Sequence, residues 1–181
     1  MGFPDAEVHA IDVGPSVLRY AHARAESMGV AIHFHQMSGE ALTFDDASFD
    51  LVNCPASFHE MSRSAVYNVF KEAFRVLKPG GVFLLSELPP YEGVDPWTQF
   101  VRDWDTYNNN EPFWGTLHEM NFAEVAETAG FDRADYWEGT GPGIAEANQL
   151  TGAVEVQNKK FMGSTRGGGQ AWYAHMTKRA S

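Results

Sequence analysis

Apolar and polar positions recur along this chain with two different periods. Val66, Val69, Phe70, Ala73, Phe74 and Leu77 fall at i, i+3, i+4, i+7, i+8 and i+11, the stripe of an amphipathic helix. That helix meets Lys78-Pro79-Gly80-Gly81, a basic last turn followed by breakers. Residues 82–85, Val-Phe-Leu-Leu, then read as a strand apolar on both faces, as a strand buried in a parallel sheet should be. Upstream, residues 7–11 form a short extended segment that reaches Asp12, and Gly14-Pro15-Ser16 opens a helix. Proline suits a first helical turn, where its missing N–H needs no acceptor. Val17, Ala21, Ala25 and Met28 share a helical face, and Gly29 is a ready C-cap. Residues 31–36 alternate Ile32 and Phe34 with His33 and His35, a strand pattern. Residues 49–53 are a second short strand after the turn-rich Asp45-Asp46-Ala47-Ser48. This alternation predicts an α/β fold with a mostly parallel sheet and right-handed crossovers.

The second half is less regular. Residues 89–112 are rich in aromatics and Asn, with a helix predicted over 96–107. A further helix is predicted from Phe122 to Ala129, ending at Gly130. Residues 133–137 and 171–176 read as two late strands, with a Gly-rich loop at 163–169 between them. There is no internal repeat. Trp97, Trp104, Tyr107, Phe113 and Trp114 either line an apolar substrate pocket or pack as core beneath a long connection.

Composition narrows the class. A chain of 181 residues fits one domain, with residues 89–121 as a substrate-side insertion or lid. Hydrophobic residues make up 44% and aromatics 13%, too many for a disordered protein. Thirteen basic against 24 acidic residues give a net charge of −11, which argues against nucleic acid and anionic membrane partners. Cys54 is the single cysteine, so no internal disulfide can form, and a cytoplasmic location is expected. The first residues carry charges and lack the apolar run of a signal peptide, and no apolar run approaches membrane-spanning length.

Three stretches together resemble the class I S-adenosylmethionine-dependent methyltransferases, in particular the small-molecule type 11 group. The first is Val8-His-Ala-Ile-Asp12 with the following Val13 to Ala21. The second runs from Phe34 through Ser38-Gly39-Glu40 to Val52, and the third is Phe74-Arg-Val-Leu-Lys-Pro-Gly-Gly-Val-Phe-Leu-Leu-Ser-Glu87. Gly130-Phe131 before a late strand is a weaker echo. The resemblance implies a Rossmann-like methyltransferase fold and methyl transfer from S-adenosylmethionine to a small-molecule acceptor, with S-adenosylhomocysteine as product.

It also implies site residues. Asp12, at the carboxyl end of a parallel strand, would accept hydrogen bonds from both ribose hydroxyls, with Val13 beside it. The alternative is an acid that only starts the helix at Gly14. Ser38 and Gly39 fall where the family reads adenine, although the family often has Asp at the Ser38 position. Glu40 is a ligand or a solvated turn acid. Asn53 would end the family's fourth strand near the methionine moiety. His59, after that strand, is the candidate general base, its neutral imidazole taking a proton from an attacking oxygen or nitrogen. The alternative is a histidine that packs or caps the next helix.

One departure stands out. The family's glycine-rich loop precedes its acidic strand end, yet the eleven residues before Asp12 hold one Gly and no Gly-x-Gly. The expectation is therefore a chain truncated at its N-terminus, without the family's first strand, loop and first helix. That strand is central, so exposed sheet edges and self-association follow. The second reading of function is a non-catalytic remnant or interaction module with weak or no cofactor binding.

Three further patterns are weaker. Glu138-Gly-Thr-Gly-Pro-Gly143 mimics a displaced glycine loop, but a plain turn is the expectation. Tyr67 and Lys71 have the Tyr-x-x-x-Lys spacing of short-chain dehydrogenases and read as helix surface. The seven histidines include His33 and His35 on one strand face, but no third ligand stands at recognisable spacing, so no metal site is expected.

Overall fold

The computed structural model describes residues 5–87, 95–142 and 170–179. The chain divides into two compact units, Met1–Asp45 and Asp46–Ser181.

The smaller unit is a β-α-β arrangement of β1 (His9–Asp12), α1 (Pro15–Ser27) and β2 (His33–Gln36). The two strands pair in parallel, with His9 opposite His33 and Asp12 opposite Gln36. Pro15 opens α1 and Gly29 follows its end at φ +66°, a left-handed conformation that favours glycine. Of the predicted face only Ala25 is buried; Val17 and Met28 are exposed. A two-stranded sheet is too narrow to cover a whole helical stripe. The register also gathers histidines. His9 Nδ1 lies 2.9 Å from His35 Nε2, its ring stacks on His33 at 4.9 Å, and Glu7 Oε1 approaches His9 Nε2 at 3.2 Å.

The larger unit contains β3 (Phe49–Pro55), a 3₁₀ turn (Phe58–Glu60), α2 (Arg63–Val76) and β4 (Leu77–Glu87). Then come α3 (Pro96–Asn108), α4 (Trp114–His118), α5 (Phe122–Ala129), a 3₁₀ turn (Arg133–Asp135), β5 (Tyr136–Pro142) and β6 (Gln170–Thr177). The sheet order is β3-β4-β6-β5, parallel between β3 and β4 and antiparallel elsewhere. Ser62 caps α2 by accepting the Ala65 N–H at 3.3 Å, and Asn121 caps α5 by accepting that of Glu124 at 3.2 Å.

Several expectations are corrected. Lys78-Pro79-Gly80 does not separate helix from strand, because α2 ends at Val76 and β4 begins at Leu77. Pro79 disfavours helix in the residue before it, and Gly80 donates its N–H to the Lys178 carbonyl at the end of β6. β4 is fully buried on one face, at Phe83, Leu85 and Glu87, while Val82 and Leu84 are half-buried. Residues 133–135 form a turn capped by Asp132, so the late strand starts only at Tyr136. Residues 138–142 are strand rather than turn: they pair with β6, and the Trp137 ring lies 2.8 Å from where a Cβ on Gly139 would stand. Trp97, Trp104 and Tyr107 are exposed on α3, which rules out core packing for them. Tyr67 is half-buried and Lys71 exposed on α2. The Gly-rich stretch at 163–169 and residues 89–94 of the expected insertion lie outside the described residues.

An aromatic core joins α2 and α5 to the sheet. The Phe70 ring meets Phe83 edge-on at 5.0 Å and contacts Phe58 at 5.5 Å and Phe122 at 6.0 Å. Gly130 ends α5 at φ +114°, where a Cβ would come within 2.9 Å of the Phe74 ring. Lys178 closes the other helix from a distance. Its Nζ donates to the carbonyls of Phe74 and Leu77, both at 2.8 Å, and lies 4.6 Å from the Phe74 ring centroid. A cation at a helix C-terminus is favoured by the helix dipole.

Two predictions follow from this packing. Phe70→Ala loses about 3–5 kcal/mol in urea unfolding, whereas Tyr107→Ala, at an exposed position, stays within about 0.5 kcal/mol of the parent. Lys178→Met leaves the Phe74 and Leu77 carbonyls without this donor and costs about 1–3 kcal/mol by the same measurement.

Candidate functional site

In the smaller unit the carboxyl ends of two parallel strands lie side by side. The Met37 N–H donates to the Asp12 carbonyl at 3.2 Å, which places Ser38 and Gly39 next to the end of β1. Asp12 is half-buried, and its Oδ1 accepts the Gly14 N–H at 2.6 Å. A Cβ on Gly14 would stand 3.1 Å from that oxygen, so glycine allows the close approach. Asp12 Oδ2 accepts no hydrogen bond among the described residues. One oxygen thus anchors the turn into α1 and the other remains available.

Ser38 Oγ accepts the Glu40 N–H at 3.2 Å, and the Ser38 carbonyl accepts that of Ala41 at 3.2 Å. This tight turn holds Ser38 and Gly39 half-buried while Glu40 is exposed. The Ser38 hydroxyl proton and the Gly39 N–H have no acceptor among the described residues. The Val13 carbonyl is taken by the Gln36 side chain at 3.2 Å, so Val13 braces the two strand ends.

The larger unit carries the second group. β3 continues to Pro55, so Asn53 sits inside the strand opposite Leu84 rather than at its end. Asn53 is exposed, whereas its neighbours Val52 and Cys54 pack against the core. The strand alternation therefore turns Asn53 away from the face that carries Cys54.

His59 lies in the 3₁₀ turn after β3, with its side chain 16% exposed. Its Nδ1 is 2.7 Å from Oε1 of Glu87, the last residue of β4. A carboxylate can only accept, so Nδ1 carries a proton, and in the neutral ring Nε2 carries the lone pair. Glu87 is 6% exposed, and its Oε2 accepts the Phe58 N–H at 2.9 Å. Glu60 Oε1 stands 3.6 Å from Nε2, and the Trp114 ring meets the imidazole edge-on at 6.0 Å. The Trp114 Nε1 is buried without a hydrogen-bond partner among the described residues.

The hydrogen bond to Glu87 holds the His59 imidazole above its ordinary value of 6.5, more than offsetting its partial desolvation, with help from Glu60 and Glu111. The charged pair thus adds stability that is complete below about pH 6.5 and is lost as pH rises through the raised value. Burial pushes the Cys54 thiol up to about 11, so it is no nucleophile. Sequence reasoning selected His59 but missed Glu87; the signal was an acid ending an otherwise apolar strand. Among the described residues, no group of three or more His, Cys, Asp and Glu is arranged to hold a metal ion.

The relatives of this chain fit these features. A family model described as "Methyltransferase domain" matches residues 1–81. A ubiquinone/menaquinone biosynthesis C-methyltransferase of Brucella anthropi is 35% identical, over 77% of this chain and 59% of that protein. The biotin biosynthesis bifunctional protein of Teredinibacter turnerae is 37% identical, over 74% of this chain and 23% of its own length. The chain thus spans less than two thirds of these curated relatives. Among solved structures, an S-adenosylmethionine-dependent methyltransferase of Methanosarcina mazei matches at a TM-score of 0.65 and 18% identity, over 97% of this chain and 83% of that one. Phosphoethanolamine N-methyltransferase 2 of Haemonchus contortus, in complex with S-adenosyl-L-methionine, matches at 0.63 and 16% identity, over 96% and 44%. The α/β architecture and these relatives agree: the chain has the fold of the S-adenosylmethionine-dependent methyltransferases, and its residues 1–81 match a methyltransferase domain.

Proposed function

We propose that this chain binds S-adenosylmethionine and serves methyl transfer to a small-molecule acceptor. The observation that carries this reading is the set of unused hydrogen-bonding groups at the end of β1 and β2. Asp12 Oδ2 can accept from a ribose diol, and the Ser38 hydroxyl and Gly39 N–H can donate to an adenine edge. These residues fit the adenosine half of the donor. When bound, the donor supplies an electrophilic sulfonium methyl group and leaves as S-adenosylhomocysteine.

Such a displacement needs alignment and exclusion of water more than covalent participation by the protein. The one step that calls for a side chain is removal of the acceptor's proton. His59 Nε2 is the group we assign to it, because the opposite ring nitrogen is committed to Glu87. The relatives' printed activities, C-methylation in quinone biosynthesis and N-methylation of phosphoethanolamine, mark small organic acceptors as the class to screen. Among the described residues no helix is long and apolar enough to cross a membrane. With Cys54 its single cysteine, the chain suits a reducing compartment, and we place it in the cytoplasm.

A second reading has its own support. The described strands form two separate sheets, and β1 and β3 each have one edge without a strand partner among the described residues. Unpaired edges are templates for association. A non-catalytic module that self-associates through such edges would need no cofactor.

Calorimetric titration with S-adenosylhomocysteine separates the two. Micromolar binding is the expected result, and no heat of binding, together with dimers in sedimentation, would favour the second reading. Asp12→Asn retains an oxygen for the Gly14 N–H but replaces the available one by an amide nitrogen. It is expected to weaken binding by about 1.5–3 kcal/mol with little change in melting temperature. Unchanged affinity would remove Asp12 from the ribose role.

A further inference from the structure

The larger unit holds a buried carboxylate that the reading above does not by itself require. We propose that Glu87 is a positioning residue that fixes His59 in its Nδ1–H form, so that the acceptor is a nucleophile that must give up a proton to Nε2. This rests on the assignment of His59 as proton acceptor and adds the residue that makes it one.

Three observations converge. Glu87 ends β4 on its fully buried face, where an unpaired carboxylate would be costly. Its two oxygens have different partners. Oε2 accepts the Phe58 N–H at 2.9 Å, which ties the turn after β3 to the end of β4, and Oε1 accepts Nδ1–H of His59 at 2.7 Å. The ring can therefore neither flip nor move its proton to the other nitrogen without leaving a buried carboxylate oxygen without this donor. Nε2 is the nitrogen left for a substrate. It is not walled off, since its nearest described acid is Glu60 at 3.6 Å on a largely exposed side chain.

The charged and titratable neighbours all push the same way. Glu87 from β4, Glu60 from the same turn and Glu111 from the segment before α4 favour the imidazolium, and the neutral Cys54 thiol on β3 adds no opposing charge. A base strengthened in this manner suits a hydroxyl or a protonated amine. It offers nothing to a tertiary amine or a thiolate, which attack without losing a proton. In the transfer itself, the acceptor's X–H proton passes to Nε2. The acceptor's electron pair forms the new bond to the methyl carbon, and the C–S pair stays on sulfur.

The test is long-range ¹H–¹⁵N NMR on the full chain, with the His59 signals assigned by their loss in His59→Gln. The parent is expected to show a proton on Nδ1 of neutral His59 and a titration midpoint above 6.5. In Glu87→Gln the midpoint should fall by about one pH unit, a tenfold loss of proton affinity. Glu87→Asp, which keeps the charge but shortens the reach, should fall between the two. A proton on Nε2 in the parent, or an unchanged midpoint in a folded Glu87→Gln chain, would overturn the proposal. The tautomer is read on the parent alone, so a variant that fails to fold does not block the test. Absence of S-adenosylhomocysteine binding alongside the Nδ1–H form would remove methyl transfer while supporting the role of Glu87 in placing the proton.

Discussion

The larger unit depends on β4 having both of its edges filled. It pairs in parallel with β3 on one side and antiparallel with β6 on the other, so its backbone donors and acceptors are satisfied over much of its length. A strand so enclosed must be apolar where it is covered, and Phe83 and Leu85 meet that demand beneath α2 and α5. Because its neighbours come from residues 49–55 and 170–177, β4 also brings together segments far apart in sequence. Loop closure is costly for such contacts, so local tethers at the strand ends are valuable.

Two tethers of this kind are visible, one at each end of β4. Lys178 at the close of β6 reaches the last carbonyls of α2, where the helix turns into the strand at Leu77. Glu87 at the opposite end accepts the Phe58 N–H from the turn that follows β3. The first is a cation meeting a helix C-terminus and the second a carboxylate meeting a backbone donor; each is stronger for being charged. Only the second also holds a titratable side chain, His59.

The parts that were legible in the sequence were those governed by local rules. The α2 stripe from Val66 to Phe74, the stop at Gly130 and the strand ending at Asp12 depend on periodicity and on backbone preferences, and the structure reproduces them within a residue or two. The errors came where tertiary pairing overrode local signals. Pro79 and Gly80 look like breakers, but strand pairing with the end of β6 takes them into β4. Gly139 and Gly141 look like a turn, yet β6 and the Trp137 ring keep them extended. Asn53 reads as the end of its strand, because nothing local marks Pro55 as the true end. Glu87 could be read only as the last letter of a motif. Its partner lies 28 residues upstream, and no spacing rule connects a strand's last acid to a histidine in the preceding connection.

The two carboxylates of the candidate sites follow one construction. Asp12 and Glu87 each stand at the carboxyl end of a strand with a parallel neighbour, and each spends one oxygen on a nearby backbone N–H. That bond removes side-chain freedom that would otherwise be lost on binding or in reaction. The remaining oxygen is thus held without further ordering, unused among the described residues for Asp12 and on the His59 ring for Glu87. Deleting the side chain would confuse the two duties, since the turn would lose its anchor together with the chemistry. Replacing carboxylate by amide separates them, because the amide oxygen can keep one duty while the amide nitrogen fails the other. For Asp12 the amide oxygen can stay on the Gly14 N–H, so the failure falls on the ligand. For Glu87 both duties need an acceptor, so the amide must surrender either the Phe58 N–H or His59. The same substitution is therefore a mild change at one strand end and a severe one at the other.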